Sequence, residues 1–525
     1  MQQGSGAAGG QVRATLSGLV PRHANTIVVG GGTSGSVVAG VLAERSDETV
    51  LVLEAGPDYG PFAAGHWPQN LLDARALGYT DAWDYDSGDT YADRIVPFER
   101  ARVIGGCSSH NGCAAIWGSR ADYDGWAALG EAAWSASELR PLFRHADARL
   151  RVRKYAPSEI TPFHQALLDA APGIGIPLVE DLNDLEQDTG IAASPVNIHD
   201  GVRWNAAFAY LDPVRDRPNL TVIGDTTVDR LIVAGDRVVA VEAIVAGTRY
   251  RIETDRVVVS AGAYGSPAVL LRSGIGDPGE LPTVGIAPVL DLPGVGRNLH
   301  DHPSAIVTFG GTSVLDRQMA GFASTHWTPE EQTIAKARST RCTEAFDLHL
   351  YPVGGPDPID AGAPRWKLPV ACMTPRSRGR LTLRSSDPLA PIAIDHRYLS
   401  DPEGHDRAVL VDGLRLAREL AQEPRLRNLL GSESSPGPAV RTDSDLHTFV
   451  DATCVHYYHP VGTCRMGPES DLLAVADGRG KIHGLANAFI ADCSLIPVIP
   501  RANTNIPAVV IGERIARWLL QAVSS

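Results

Sequence analysis

The sequence predicts an α/β chain: a parallel sheet with crossover helices, interrupted by segments that build a second domain. Three observations carry this. A β-branched run ends in spaced glycines and gives way to a helical pattern and then to another β-branched run. The length, 525 residues, exceeds what one core holds. Two long stretches between the strand-like segments differ in character, and the second holds most of the irregular proline-rich sequence.

In chain order, residues 26–30 (TIVVG) read as a strand, 34–44 as a helix and 49–53 (TVLVL) as a second strand, which makes a parallel βαβ unit. Further strands are expected at 220–223, 238–244 and 256–260, with a helix at 266–272. A last helix over 507–521 has Pro507 in its first turn and apolar residues at helical spacing. Segments 25–155, 205–304 and 456–525 are assigned to the nucleotide-binding domain. Segments 156–204 and 305–455 are assigned to the second domain, and 1–24, polar and glycine-rich, to a flexible opening.

Composition narrows the function. With 44% hydrophobic and 21% charged residues, 53 Gly and 37 Pro, the chain is globular and rich in loops. A net charge of −14 without a Lys or Arg run repels nucleic acid and anionic membranes. The seven cysteines are scattered with no paired spacing for zinc, so no metal is expected and a reducing cytoplasm suits them. No apolar run approaches the roughly 20 residues that span a bilayer, and 1–24 lack an export pattern.

Gly30, Gly32 and Gly35 form G-x-G-x-x-G between strand and helix, and Glu54 closes the next strand 24 residues after Gly30. This is the Rossmann placement: the first glycine permits the turn, the second lets backbone approach a pyrophosphate, and the third lets helix pack on strand. Thr33 and Ser34 open the helix whose N-terminus attracts that negative charge, and Glu54, followed by Ala55, is placed to bind the adenosine ribose. NAD and FAD both bind in this way, so the motif leaves the cofactor open.

Other segments are more specific. Residues 101–111 (ARVIGGCSSHN), 262–276 (GAYGSPAVLLRSGIG), 294–303 (GVGRNLHDHP), 401–406 (DPEGHD), 459–463 (HPVGT) and 485–494 (LANAFIADCS) resemble, in order, the signatures of the glucose-methanol-choline oxidoreductases. The resemblance implies the fold of that family, with an antiparallel sheet in the second domain, and FAD as cofactor. It adds Arg102, Gly105, Gly106, Ser108, Asn111, Val228, Asp492 and Asn503 to the cofactor site. GGCSSHN, with Cys107 and His110 at the two unusual positions, is the variant of the choline-oxidising members, which implies that His110 is bonded covalently to the flavin 8α-methyl carbon.

The resemblance further implies that His459, fixed in a loop by Pro460, accepts the hydroxyl proton of an alcohol while hydride leaves the carbinol carbon for flavin N5. Asn505 is expected to pair with it, Asn503 being the alternative two residues earlier, and His349 is a further residue at the alcohol oxygen. Tyr457, Tyr458 and Ser304 are placed on the substrate side. Ser304 stands where the choline-oxidising members carry a glutamate, so a neutral primary alcohol or sugar-like polyol is expected in place of a quaternary cation. Oxygen is the expected acceptor, giving hydrogen peroxide; a dehydrogenase with another acceptor and a hydroxynitrile lyase are the competing readings. The expected protein is cytoplasmic, compatible with a homodimer, and its partners are the alcohol and oxygen.

Overall fold

A computed structural model describes residues 20–78, 89–91, 94–96, 98–356 and 364–523. Of the opening expected to be flexible, residues 1–19 lie outside the described residues, and the first strand, His23–Val29, begins inside its end.

That strand is the centre of a seven-stranded sheet. Val50–Leu53 and then Leu220–Ile223 pair in parallel on one side, and Thr248–Val259 pairs in parallel on the other. Thr248–Val259 also joins an antiparallel meander with Arg237–Val245 and Thr226–Ala234, and its last residues pair in parallel with Ala488–Ile490. The four residues of Val50–Leu53 are all buried, as parallel strands covered on both faces must be.

Gly30 has φ +92°, and a β-carbon there would stand 2.7 Å from the Ser260 carbonyl oxygen, so only glycine makes this turn. The helix that follows, Thr33–Arg45, is buried from Ser34 to Ala43. Its Val37, Val38, Val41 and Leu42 are in the core, each stabilising the fold by roughly 1.5–3 kcal/mol. It packs against the C-terminal helix Asn505–Val523, where the Ser34 hydroxyl donates to the Ala508 carbonyl at 2.8 Å.

The second sheet has eight strands and is antiparallel throughout. Its main order is Leu430–Ser435, Pro303–Gly311, Pro364–Cys372, Leu348–Leu350, Thr333–Ala337 and Gly190–Ala193. The helix His405–Gln422 lies across Pro303–Gly311 and Pro364–Cys372. Pro303 pairs with His456 and Ser304 with Val455, so one corner of this sheet delivers residues 301–304 and 457–459 to the boundary with the first sheet. Among the described residues, no helix is long and apolar enough to cross a membrane.

Candidate active site

A cavity of about 440 Å³ runs along the carboxyl ends of the parallel strands and reaches the corner of the second sheet. Gly30, Gly32, Thr33, Ser34, Glu54, Ala55, Arg102, Gly106, His110, Asn111, Val228, Asp492 and Asn503 of the expected cofactor site all line it. A β-carbon on Gly32 would meet no protein atom nearer than 3.8 Å, so the protein's own packing does not demand glycine here; room for a ligand backbone does. Gly35 is needed for the opposite reason, because a β-carbon there would lie 1.9 Å from the Gly30 carbonyl oxygen. The Glu54 carboxylate accepts from the Gly31 amide (2.8 Å) and the Gly56 amide (2.9 Å), which fixes it at the cavity edge. Arg102 donates to the Ala55 carbonyl and the Thr227 hydroxyl at 3.1 Å each. Asp492 accepts from the amides of Gly262 and Ser494.

Two further expected cofactor residues, Gly105 and Ser108, stand behind the wall, as Gly35 does. The fully buried Ser108 hydroxyl donates to the Gly105 carbonyl at 2.6 Å and accepts from the Ala206 amide at 3.0 Å. Ser108 and Gly105 therefore shape the loop without lining the cavity.

His110, at the end of the 3₁₀ turn Gly106–Ser109, faces the cavity beside Cys107. The Arg100 guanidinium donates to Cys107 Sγ at 3.3 Å and, through both terminal nitrogens, to the Tyr458 carbonyl at 2.8 Å. Burial would raise the Cys107 thiol, but Arg100 and His110 hold it down to about 5. Arg100 and His110 thus favour the thiolate form of Cys107 beside the histidine expected to carry the flavin.

His459 is buried, and its backbone amide donates to Asp301 Oδ1 at 2.8 Å. The same oxygen accepts from the His302 amide, while Oδ2 accepts from the Tyr398 hydroxyl at 2.9 Å. One carboxylate therefore sets the backbone of two histidines, whose Nδ1 atoms lie 3.0 Å apart. One ring must donate to the other, and when His459 Nδ1–H does so, its Nε2 keeps a lone pair for a proton. Burial pushes His302 down to about 3, and burial together with the His302 and Arg100 charges holds His459 well below the usual imidazole range. Both rings are neutral at physiological pH.

The amide beside His459 is that of Asn503, the alternative to Asn505 in the sequence reading. Asn503 Nδ2 stands 3.4 Å from His459 Nε2 and 3.5 Å from the Tyr457 hydroxyl. Asn505 begins the C-terminal helix two residues on, and its side-chain amide, also at the cavity wall, has no hydrogen-bond partner among the described residues. His349 is fully buried, stacked on Phe346 with both ring nitrogens unpartnered, and does not line the cavity.

Ser304 is also removed from the cavity. It is fully buried, bonded to the Tyr351 hydroxyl at 2.6 Å and donating to the Val370 carbonyl at 2.9 Å. Tyr351 covers it, stacking on Tyr457 at 3.9 Å, and Tyr457 in turn packs against His459 at 4.4 Å. Tyr458, with φ +64°, turns the chain between them.

Sequence reasoning missed Arg100, Asp301, His302, Tyr351 and Glu331 as site residues. Asp301 and His302 were visible only as part of a signature, and Glu331 lies in no motif. Glu331 lines the cavity and supplies a carboxyl group where Ser304 does not.

Residues 24–304 match the N-terminal model of the GMC oxidoreductases, and residues 375–512 match the C-terminal one. Choline oxidase of Arthrobacter globiformis is 32% identical over 97% of this chain and 96% of its own length. The mitochondrial choline dehydrogenase of Homo sapiens is also 32% identical, over 93% of this chain and 88% of its own. Among solved structures, pyridoxine 4-oxidase from Mesorbium loti superposes with a TM-score of 0.84 at 26% identity, over 95% of this chain and 99% of that one. A glycine cradle, a carboxylate-held histidine pair and family matches over both halves agree: the chain belongs to the GMC oxidoreductases, flavin enzymes that bind FAD and act on CH–OH groups.

Proposed function

We propose that this protein is an FAD-dependent alcohol oxidase whose proton acceptor is His459 and whose second oxygen ligand is Asn503. The observation that carries the reading is the pair itself: a neutral imidazole nitrogen and an amide donor 3.4 Å apart on the wall of the cofactor cavity. FAD, when bound, supplies the acceptor for the carbinol hydride. His459 Nε2 takes the hydroxyl proton, Asn503 Nδ2 donates to the same oxygen, and Asp301 and His302 hold His459 in the accepting tautomer. The Gly32 cradle, Glu54, Arg102 and the N-terminus of the helix at Asn505 are the groups that would hold the dinucleotide and stabilise its negative charge. His110 is the attachment point proposed for the flavin. Oxygen as acceptor is supported by the likeness to choline oxidase.

Anaerobic bleaching of the flavin by a panel of alcohols tests this. His459→Ala should slow bleaching about a hundredfold or more, and parent rates should stay level on acidification through the ordinary imidazole range, because His459 is held neutral there. A His459→Ala rate within a few fold of the parent would place the proton acceptor elsewhere. Yellow colour retained by the acid-precipitated polypeptide, and lost in His110→Ala, is the expected mark of the covalent bond.

A further inference from the structure

We infer that Glu331 is the substrate-recognition group of this site and that the alcohol it selects carries a protonated nitrogen with at least one N–H. The inference rests on the proposed alcohol oxidation and names the substrate class for it.

Glu331 lines the same cavity as His459, Asn503, Tyr351 and Tyr457. Its Oε2 lies against Gly112, 3.4 Å from where a β-carbon would stand, so a larger residue at 112 would crowd it. Half-buried at the cavity wall, its carboxyl group has no hydrogen-bond or ion-pair partner among the described residues. The charged neighbour acting on it is another carboxylate, Glu330, and burial with that repulsion pushes Glu331 up to about 8. Its charge is felt at Cys113, Tyr351 and Tyr457, none of which can neutralise it. A site that keeps an uncompensated carboxyl group beside its reacting end is complete only when the ligand brings the cation.

The walls around it decide the kind of cation. The Tyr351 hydroxyl is bonded to Ser304 and the Tyr457 hydroxyl faces Asn503, so among the described residues this end offers chiefly ring surface and one unpartnered carboxyl group. A quaternary ammonium needs a cage of aromatic faces, yet Tyr351 and Tyr457 are stacked on each other. Phe346 is stacked on His349, and Trp327 packs against the cluster around Tyr155; neither lines the cavity. An N–H⁺ group donates directly to the vacant carboxylate oxygens, as a charge-assisted hydrogen bond requires.

The test uses the flavin-loaded enzyme at about pH 9, where alkylammonium groups stay charged and Glu331, pushed up to about 8, is ionised. Butylammonium, which has no hydroxyl and cannot be oxidised, is titrated calorimetrically into the parent, Glu331→Gln and Glu331→Asp. Butylammonium should bind the parent, lose about thirtyfold or more in affinity in Glu331→Gln, and recover in part in Glu331→Asp. Tetramethylammonium should bind the parent more weakly than butylammonium. In parallel, flavin bleaching by ethanolamine should fall by a similar factor in Glu331→Gln and recover in part in Glu331→Asp. Equal affinity of parent and Glu331→Gln for butylammonium, no binding to the parent, or tighter binding of tetramethylammonium would each overturn the inference. If no alcohol bleached the flavin while butylammonium still required Glu331, alcohol oxidation would fall and the recognition site would stand.

Discussion

At the scale of single residues, the arrangement around His459 separates two asparagines that composition alone makes equivalent. Asn503 stands at His459 Nε2 and Asn505 at the mouth of a helix, so their alanine variants should differ in kind. Asn503→Ala is expected to slow flavin reduction by roughly tenfold to a hundredfold with flavin content unchanged, since it removes a donor to the reacting oxygen. Asn505→Ala should act chiefly on flavin retention and spectrum; a larger loss of reduction rate in Asn505→Ala than in Asn503→Ala would reverse the assignment. Ser304 gives a second contrast. Its sequence position suggests that glutamate there would admit a quaternary cation, but the side chain is enclosed by Tyr351 and Val370. Ser304→Glu would place a carboxyl group in a space filled by these residues, so it should lower the melting temperature and yield without improving choline oxidation. A well-folded Ser304→Glu protein with enhanced choline turnover would show that Tyr351 swings aside.

At the scale of elements, legibility followed burial. The runs 26–30 and 49–53 announced themselves because strands covered on both faces are continuously apolar, and the glycines between them mark a turn that no other residue makes. Thr248–Val259 was legible only in its last third: its earlier residues are mostly exposed, with Ile252 and Thr254 buried between exposed neighbours, and a continuous enclosed run begins only at Val257. The second sheet was legible only as inserted sequence. Strands such as Leu348–Leu350 are three residues long, too short to show a period, and Pro364–Cys372 carries prolines at both Pro364 and Pro369. The histidine at the site was found from its Pro460 neighbour and family resemblance, whereas Asp301 and Glu331 act through contacts across 158 and more residues or across the cavity, which no local pattern encodes. The crossover helix offers the direct test at this scale. Gly35→Val forces side-chain atoms against the Gly30 carbonyl, so the variant should fail to bind FAD or to accumulate folded. Gly32→Ala, with nothing within 3.8 Å, should fold and lose cofactor affinity instead. Equal behaviour of the two variants would contradict the division of labour between these glycines.

At the scale of the whole molecule, the structure stores several imidazoles in their neutral form. Burial holds His164 down to about 4 and His302 to about 3, and holds His300, His349 and His459 well below the usual range. Each has a folded-state pKa below its unfolded value, so the unfolded chain takes up more protons as pH falls through about 6.5. Stability from these groups is therefore intact above about pH 6.5 and lost progressively below it. The melting temperature of the holoenzyme should fall steeply between about pH 6.5 and 4; a flat profile across that window would mean these rings are already charged or solvated. The cavity has one more property with a consequence for how the protein is made. Its wall begins at Val29 and ends at Ala508, and the crossover helix that holds the glycine cradle is backed by the C-terminal helix through Ser34 and Ala508. A ribosome releases the sequence from its first residue onward, so the binding site has no complete wall until Ala508 has emerged. A chain stopped short of Asn505 should therefore be born colourless however well its first sheet had formed.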